Sequence, residues 1–291
     1  MVKFVAGVAM VDPTFYVPIA QAAEEAGFDS VAVPDSICYP AESDATYPYN
    51  EDGTREFLEN KPFIEPLIAM AAMAAATTRI VFHTAVLKLP IRHPVIFAKE
   101  LTSVAVLSGN RVRLGVGTSP WPEDYEAVGL TWQGRGRRMD ECIEVIRGLS
   151  TGDYFEFAGE HYRIPSIRLN PVPTEPVPIL IGGHGETGLR RAARLGDGWI
   201  SAGSSTEELM ARLALIDEYR REYGREDVPF EVHATTEDSF TPDGIARLEE
   251  LGVTHTNGGF GRFNPYGSEP DPESLQEKID NLRRFADAFI T

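Results

Sequence analysis

Short apolar runs alternate with longer amphipathic stretches along the whole chain. Lys3–Val11 is an apolar run with small residues, closed by Asp12-Pro13, and predicts a first strand. Phe15–Ala26 has helical spacing and stops at Gly27, a residue type common just past a helix end. Asp29–Val33 predicts a second strand, and Pro66–Thr77 a helix with Leu67, Met70, Ala71 and Ala74 on one face. Arg79–Leu87 follows as a third strand, with a helix over His93–Leu107 that carries Pro94 near its first turn. After the turn Ser108-Gly109-Asn110, Arg111–Gly117 predicts a fourth strand, and a helix runs from about Arg137 to Leu149.

The second half keeps the rhythm. Val177–Ile181, Gly198–Ala202, Val228–Ala234 and Val253–Thr256 predict strands. Between and after them come helices at Thr187–Leu195, at a segment capped by Thr206 with Leu209, Leu213 and Ile216, at Asp243–Leu251 and at Pro272–Phe289. Eight strand–helix units imply a parallel sheet with right-handed crossovers. The fold class is therefore α/β, a (β/α)8 TIM barrel. An open doubly wound sheet would carry a glycine-rich dinucleotide turn after its first strand, and Met10-Val11-Asp12-Pro13 stands there instead.

Three segments break the alternation. Ser36–Pro62, after strand 2, holds six acidic and two basic residues with Tyr39, Tyr47 and Tyr49. Thr118–Gly136 follows strand 4 and carries Trp121, Tyr125 and Trp132, aromatic residues that suit either plain packing or the wall of a planar-ligand pocket. Thr151–Pro176 predicts a small hairpin excursion before strand 5. Loops after barrel strands lie at the catalytic face, so the first two insertions should wall a pocket there. No linker composition divides residues 1–291, which reads as one barrel domain.

Composition narrows the partners. A net charge of −17 disfavours nucleic acid, because phosphate backbones need clustered Lys and Arg. Two cysteines suit a reducing, cytoplasmic setting. Neither a signal peptide nor a membrane-spanning run stands out, so no membrane association is expected. Six histidines are scattered singly without metal-ligand spacing, so no metal is expected, and no G-x-S-x-G elbow supports a hydrolase.

Candidate chemistry sits at strand ends. Gly115-Val116-Gly117-Thr118-Ser119 either admits a ligand beside two hydroxyls or relieves crowding at a barrel corner. Gly182-Gly183-His184-Gly185-Glu186-Thr187 is either an amide cradle for phosphate before a helix or a plain tight turn. Asp35, after strand 2 and before Ser36, is either catalytic or a loop-shaping acceptor. His83 reads as a packed core histidine, while Arg92 and His93 read as groups that orient the following helix.

Taken together, Ala22–Asp35 (AAEEAGFDSVAVPD), Ala74–Pro94 (AAATTRIVFHTAVLKLPIRHP), Leu107–Gly117 (LSGNRVRLGVG), Arg135–Glu141 (RGRRMDE) and Ile179–Trp199 (ILIGGHGETGLRRAARLGDGW) resemble the luciferase-like monooxygenase superfamily. The pattern is most similar to its F420-dependent oxidoreductase branch. That resemblance implies a cofactor in the barrel mouth, coenzyme F420 with FMN as the alternative. It places Thr118, Ser119, Gly182, Gly183, His184 and Thr187 around the cofactor phosphate, and Asp35 and Ser36 beside the ring. Thr84, Ala85 and Val86 match a bulged strand backing the ring, with a cis peptide at Ala85–Val86. Ser36 stands where several relatives have a histidine, leaving Asp35 or a substrate group to handle protons. Arg135, Arg137 and Arg138 are the nearest basic help for an anionic tail.

The expected activity is hydride transfer between deazaflavin and a small-molecule substrate. The alternatives are an FMN-dependent monooxygenase fed by a separate reductase, and a non-catalytic flavin- or deazaflavin-binding protein. The resemblance also implies a homodimer.

Overall fold

The computed structural model describes residues 1–48, 53–259 and 271–290. Tyr49 lies outside the described residues. Eight parallel strands close into a barrel: β1 (Lys3–Gly7), β2 (Ser30–Val33), β3 (Val81–Thr84), β5 (Val112–Gly117), β8 (Ile179–Gly182), β9 (Gly198–Ile200), β10 (Glu231–His233) and β11 (His255–Asn257). Each pairs with the next in that order, and Lys3 opposite His255 joins the last strand to the first. β4 (Leu87–Lys88) is a short continuation of the third barrel strand, paired with β5 through Leu87 and Val116.

The outer ring consists of α1 (Tyr16–Glu25), α2 (Pro66–Ala75), α3 (Pro94–Ser108), α5 (Arg135–Ser150), α6 (Glu186–Leu195), α7 (Thr206–Glu222), α8 (Pro242–Glu250) and α9 (Leu275–Phe289). Their inner faces bury residues such as Ile19, Met70, Leu101, Ile146 and Leu189 against the outer faces of the strands. Glycine ends α3 because Gly109 takes φ 68°, a left-handed conformation that other residues reach only at a cost. Among the described residues no helix is long and apolar enough to cross a membrane.

The departures from the expected elements have local causes. The first strand ends at Gly7 rather than Val11, and the chain then turns through Met10 at φ 59°. The third strand is split between Thr84 and Leu87 by a cis peptide at Ala85–Val86. Ser205, not Thr206, caps α7: the Ser205 hydroxyl accepts the Glu208 N–H, and the Glu208 carboxylate accepts the Ser205 N–H. Thr206 instead donates its hydroxyl to Asp238 at 2.8 Å.

All three insertions are where the sequence puts them. A long segment follows β2, α4 (Pro122–Ala127) lies in the loop after β5, and an antiparallel hairpin of β6 (Phe155–Ala158) and β7 (Arg163–Ile167) precedes β8.

The barrel floor is charged. Arg113 donates from Nε to Glu231 at 3.1 Å and from Nη1 to Asp29 at 3.2 Å, and Lys3 pairs with Asp29 at 3.2 Å. These groups sit at or just before the N-terminal ends of their strands and close the barrel from below.

Candidate functional site

A cavity of about 870 Å³ occupies the barrel mouth, its lining drawn largely from strand ends and the loops that follow them. The β2 and β3 ends contribute Asp35, Ser36, Ala85 and Val86. Thr118, Ser119, Gly182 and Gly183 contribute from β5 and β8. Three expected site residues stand apart from the lining: Thr84, His184 and Thr187. Thr84 is fully buried and donates its hydroxyl to the Gly115 carbonyl, while Thr187 is exposed on the first turn of α6.

Asp35 is locked. Arg92 donates to both carboxylate oxygens at 2.9 Å, and the Lys88 N–H donates at 2.8 Å. The Asp35 side chain is 2% exposed. Such a bidentate, buried pair fixes orientation and occupies the lone pairs a proton acceptor would use. Asp35 thus ties the end of β2 to β4, which corrects Arg92 from a helix-orienting residue to its ion-pair partner. Ser36 lies beside it and donates its hydroxyl to the Cys38 carbonyl at 3.3 Å.

A second ion pair follows on the same wall. Lys88 Nζ lies 2.7 Å from Asp124, whose side chain is 1% exposed. The Ser119 hydroxyl also donates to Asp124 and accepts the Trp121 N–H at 3.0 Å. Ser119 thereby shapes its own loop, at φ 64°, while lining the cavity. Nothing in the sequence joined Lys88 to Asp124; the available signal was a lysine two residues past the expected cis bond. Trp121 lines the cavity and stacks on Tyr47 at 5.9 Å, whereas Tyr125 is fully buried against Trp132.

The glycines of β5 and β8 answer to Val86. A side chain at Gly117 would meet a Val86 methyl at 2.9 Å, and one at Gly182 would meet Val86 at 3.1 Å. Gly115 similarly faces the Thr84 carbonyl. These residues make room for the split strand, so the crowding reading holds for Gly115 and Gly117. Ala85 and Val86 themselves form an apolar part of the cavity lining.

The loop from β8 to α6 is built from backbone. Gly183 takes φ 118°, and Gly185 precedes α6 with no side chain capping the helix. A helix start leaves N–H groups unpaired within the helix and carries a partial positive charge. His184 turns toward the next loop, where its Nε2 accepts the Ala202 N–H at 2.9 Å and lies 3.1 Å from the Ser201 hydroxyl. Burial and the Arg212 charge push its pKa down to about 4, so the ring is neutral near pH 7. The three arginines of the α5 start lie elsewhere. Arg135 stacks on Trp132 at 3.7 Å, Arg137 pairs with Glu160, and Arg138 donates to the Thr131 carbonyl at 3.0 Å.

Three of the scattered histidines meet inside the barrel. His233 stacks on His255 at 4.0 Å and 11°, and His83 stands edge-on to His233 at 5.0 Å. All three line the cavity from below. His233 Nε2 lies 2.8 Å from Glu231, and His255 lies 3.3 Å from Asp29. Burial lowers the His233 pKa to about 4 against the opposing pull of Glu231. Burial raises Glu231, but the His233 hydrogen bond and Arg113 outweigh it and bring Glu231 down to about 2. Ligand atoms of Glu231, His233 and His255 lie within 4.8 Å of one another. Arg113 holds Glu231, Glu231 holds His233 and the Thr254 hydroxyl meets His255 Nδ1, so these groups are engaged in hydrogen bonds and ion pairs with one another and their neighbours. Histidines scattered singly along the sequence are thus neighbours in space. Their sequence signal was alternation alone, since each occupies an inward strand position.

Comparison with known proteins places these features. An uncharacterized protein of Mycobacterium tuberculosis is 55% identical over 282 residues, covering 97% of this chain and 96% of that protein. An F420-dependent glucose-6-phosphate dehydrogenase of Nakamurella multipartita is 32% identical over 201 residues, covering 68% of this chain and 54% of the dehydrogenase. The monooxygenase RslO1 from Streptomyces bottropensis shares the fold at TM-score 0.76 and 18% identity, covering 99% of this chain and 98% of that one. The coenzyme F420-dependent tetrahydromethanopterin reductase from Methanopyrus kandleri does so at TM-score 0.74 and 15% identity, again covering 99% and 98%. The profile of the family described as luciferase-like monooxygenase matches residues 4–286, and the chain belongs to that family.

Proposed function

We propose that this chain is a coenzyme F420-dependent oxidoreductase that moves a hydride between the deazaflavin and a small organic substrate. One observation carries the reading: a single cavity joins the apolar residues Ala85 and Val86 to Gly182 and Gly183, on the loop that leads into the uncapped start of α6. The similarity to a dehydrogenase named as F420-dependent supports deazaflavin over flavin.

The residues present fit such a cofactor. Gly117 and Gly182 keep Val86 seated, so a planar ring meets a smooth surface. The amides at Gly183 and the first turn of α6 suit a phosphate, because backbone dipoles bind an anion without a net positive field. This resolves how a chain of charge −17 would accept an anionic ligand. When bound, the deazaflavin supplies or accepts the hydride. The protein positions and shields. Asp35, Arg92, Lys88 and Asp124 hold the wall rigid through paired charges. Trp121 and Tyr47 line the cavity with stacked rings. With Asp35 locked, and the Ser36 hydroxyl unable to give up or take up a proton readily near neutral pH, the proton that accompanies the hydride is exchanged with substrate or solvent.

Purified protein supplied with reduced F420 and a panel of ketones, aldehydes and activated alkenes tests this. Oxidation of the cofactor that depends on one substrate class supports the reading; none across the panel, with oxygen uptake in the presence of reduced FMN, overturns it. A flavin monooxygenase served by a separate reductase is the second reading. It is favoured by the engagement of Arg135, Arg137 and Arg138 away from the cavity, which leaves a cradle suited to one phosphate rather than an extended anionic tail.

A further inference from the structure

The cavity floor carries a polar group that the mechanism above leaves unused. His83 is 2% exposed, and its Nδ1 is buried with no hydrogen-bond partner. Among the described residues, neither ring nitrogen of His83 is hydrogen-bonded to another group. Its neighbours differ in this respect: His233 Nε2 reaches Glu231, and His255 Nδ1 lies 2.8 Å from the Thr254 hydroxyl.

Two physical facts fix what His83 presents. Burial, with His233 and Arg113 nearby, drives its pKa well below the ordinary histidine value, so the ring is neutral and carries one N–H. Burying an N–H without an acceptor costs more than burying a lone pair, so the proton belongs on the nitrogen opposite the enclosed Nδ1. Nε2–H is then the donor, on a ring that lines the cavity. Position along β3 says what it would meet. His83 and Ala85 are two residues apart and share the inward face, with His83 about 7 Å deeper along the strand.

We propose that His83 is the positioning residue at the floor of the cofactor pocket, donating a hydrogen bond from Nε2 to a carbonyl oxygen on the pyrimidinedione edge of the ring that rests on Ala85 and Val86. The inference rests on a deazaflavin or flavin occupying the cavity and does not depend on which, because both carry that edge. The partner is a ring carbonyl rather than a substrate carbonyl, because His83 is the deep continuation of the strand that carries the wall. His233 orients it: the edge-on contact at 5.0 Å fixes the ring plane, and His233 is itself held by Glu231.

The test uses cofactor alone, without substrate. Wild type, His83→Phe and His83→Gln are titrated with F420, FMN and lumiflavin, a tricyclic probe that lacks phosphate and tail. Infrared difference spectra of the complexes are recorded on ring-carbonyl-labelled cofactor. The expected result is a carbonyl stretch shifted to lower frequency in wild type than in His83→Phe. Lumiflavin affinity should fall about tenfold in His83→Phe, with partial recovery in His83→Gln, which retains an N–H donor. Equal carbonyl frequencies and equal affinities in wild type and His83→Phe overturn the proposal while leaving the cofactor reading intact. If wild type binds none of the three ligands, the cofactor reading itself fails and His83 falls with it. Thermal melting checks that the variants fold. Should His83→Phe not fold, the stretch of lumiflavin bound to wild type against lumiflavin in an aprotic solvent decides: no downshift on binding overturns the assignment.

Discussion

The two sides of the cavity are built from opposite materials. On the β2–β4 side, charges are buried and paired: Asp35 with Arg92, and Lys88 with Asp124. On the β8–α6 side the lining comes from glycines and the backbone, with a neutral His184 turned away toward Ala202. Paired buried charges hold shape and offer little to a ligand, because their donors and acceptors are committed. Uncommitted amides do the reverse, at the cost of intrinsic rigidity. The contrast separates a wall that keeps geometry from a loop whose amides are suited to binding an anion. It also explains why the overall acidity of the chain says little about ligand sign.

The contrast can be broken by substitution. The largest effect is expected from Asp35→Ala, which strands Arg92 and the Lys88 N–H in a buried site. Unfolding free energy measured in urea should fall by about 3–5 kcal/mol. A loss below about 1 kcal/mol, the range of exposed pairs, would mean that the wall is not held by this pair.

Acid comes next and acts on both regions. His184 in the cradle and His233 on the floor have folded pKa values near 4, below the ordinary histidine value of 6.5. The unfolded chain takes up those protons first, so this stability is complete above about 6.5 and is lost as pH falls toward 4. Glu231 adds a second, lower window, since stability from its depressed pKa is present above 4.5 and lost as pH falls through about 2. Unfolding free energies from urea titrations should decline between pH 7 and pH 4 by roughly 3 kcal/mol for the buried His233 ring and by less for the half-buried His184, and the decline should be reduced in His233→Gln. A flat profile would contradict the burial of these neutral rings.

A smaller effect separates binding from stability. Gly182→Ala places a methyl against Val86 and pushes it toward the cavity. Stability should drop by only about 1–2 kcal/mol while cofactor affinity falls about tenfold. Unchanged cofactor affinity alongside that loss of stability would erase the distinction between wall and cradle. Smallest of all is Arg137→Ala. Arg137 is exposed and paired with Glu160 of the hairpin, so cofactor affinity should be unchanged across a salt series. A salt-dependent loss would bring α5 into the site.

Much of this was readable from the chain. Alternating apolar runs and glycine stops carry the barrel, because strand and helix periods are local properties. The split at Ala85–Val86 and the turn at Gly182-Gly183 were legible through resemblance and glycine placement. What escaped depends on which residues meet across the barrel. Asp35 and Arg92 are brought together by β2 and the end of the third strand, and Lys88 and Asp124 by β4 and α4. His83, His233 and His255 converge only because the closed barrel sets β3, β10 and β11 around one interior. A histidine at an inward strand position looks identical whether it packs alone or joins others. The C-terminal helix was legible as a helix, but nothing in its spacing announced that Lys278 and Asn281 reach the cavity lining.

The central claim is that this cavity holds a deazaflavin. Titrating the purified protein with oxidised F420 and, separately, with FMN, while following cofactor fluorescence, tests it most directly. The account expects saturable quenching of F420 with weaker binding of FMN. Tight FMN binding with no F420 binding would contradict it.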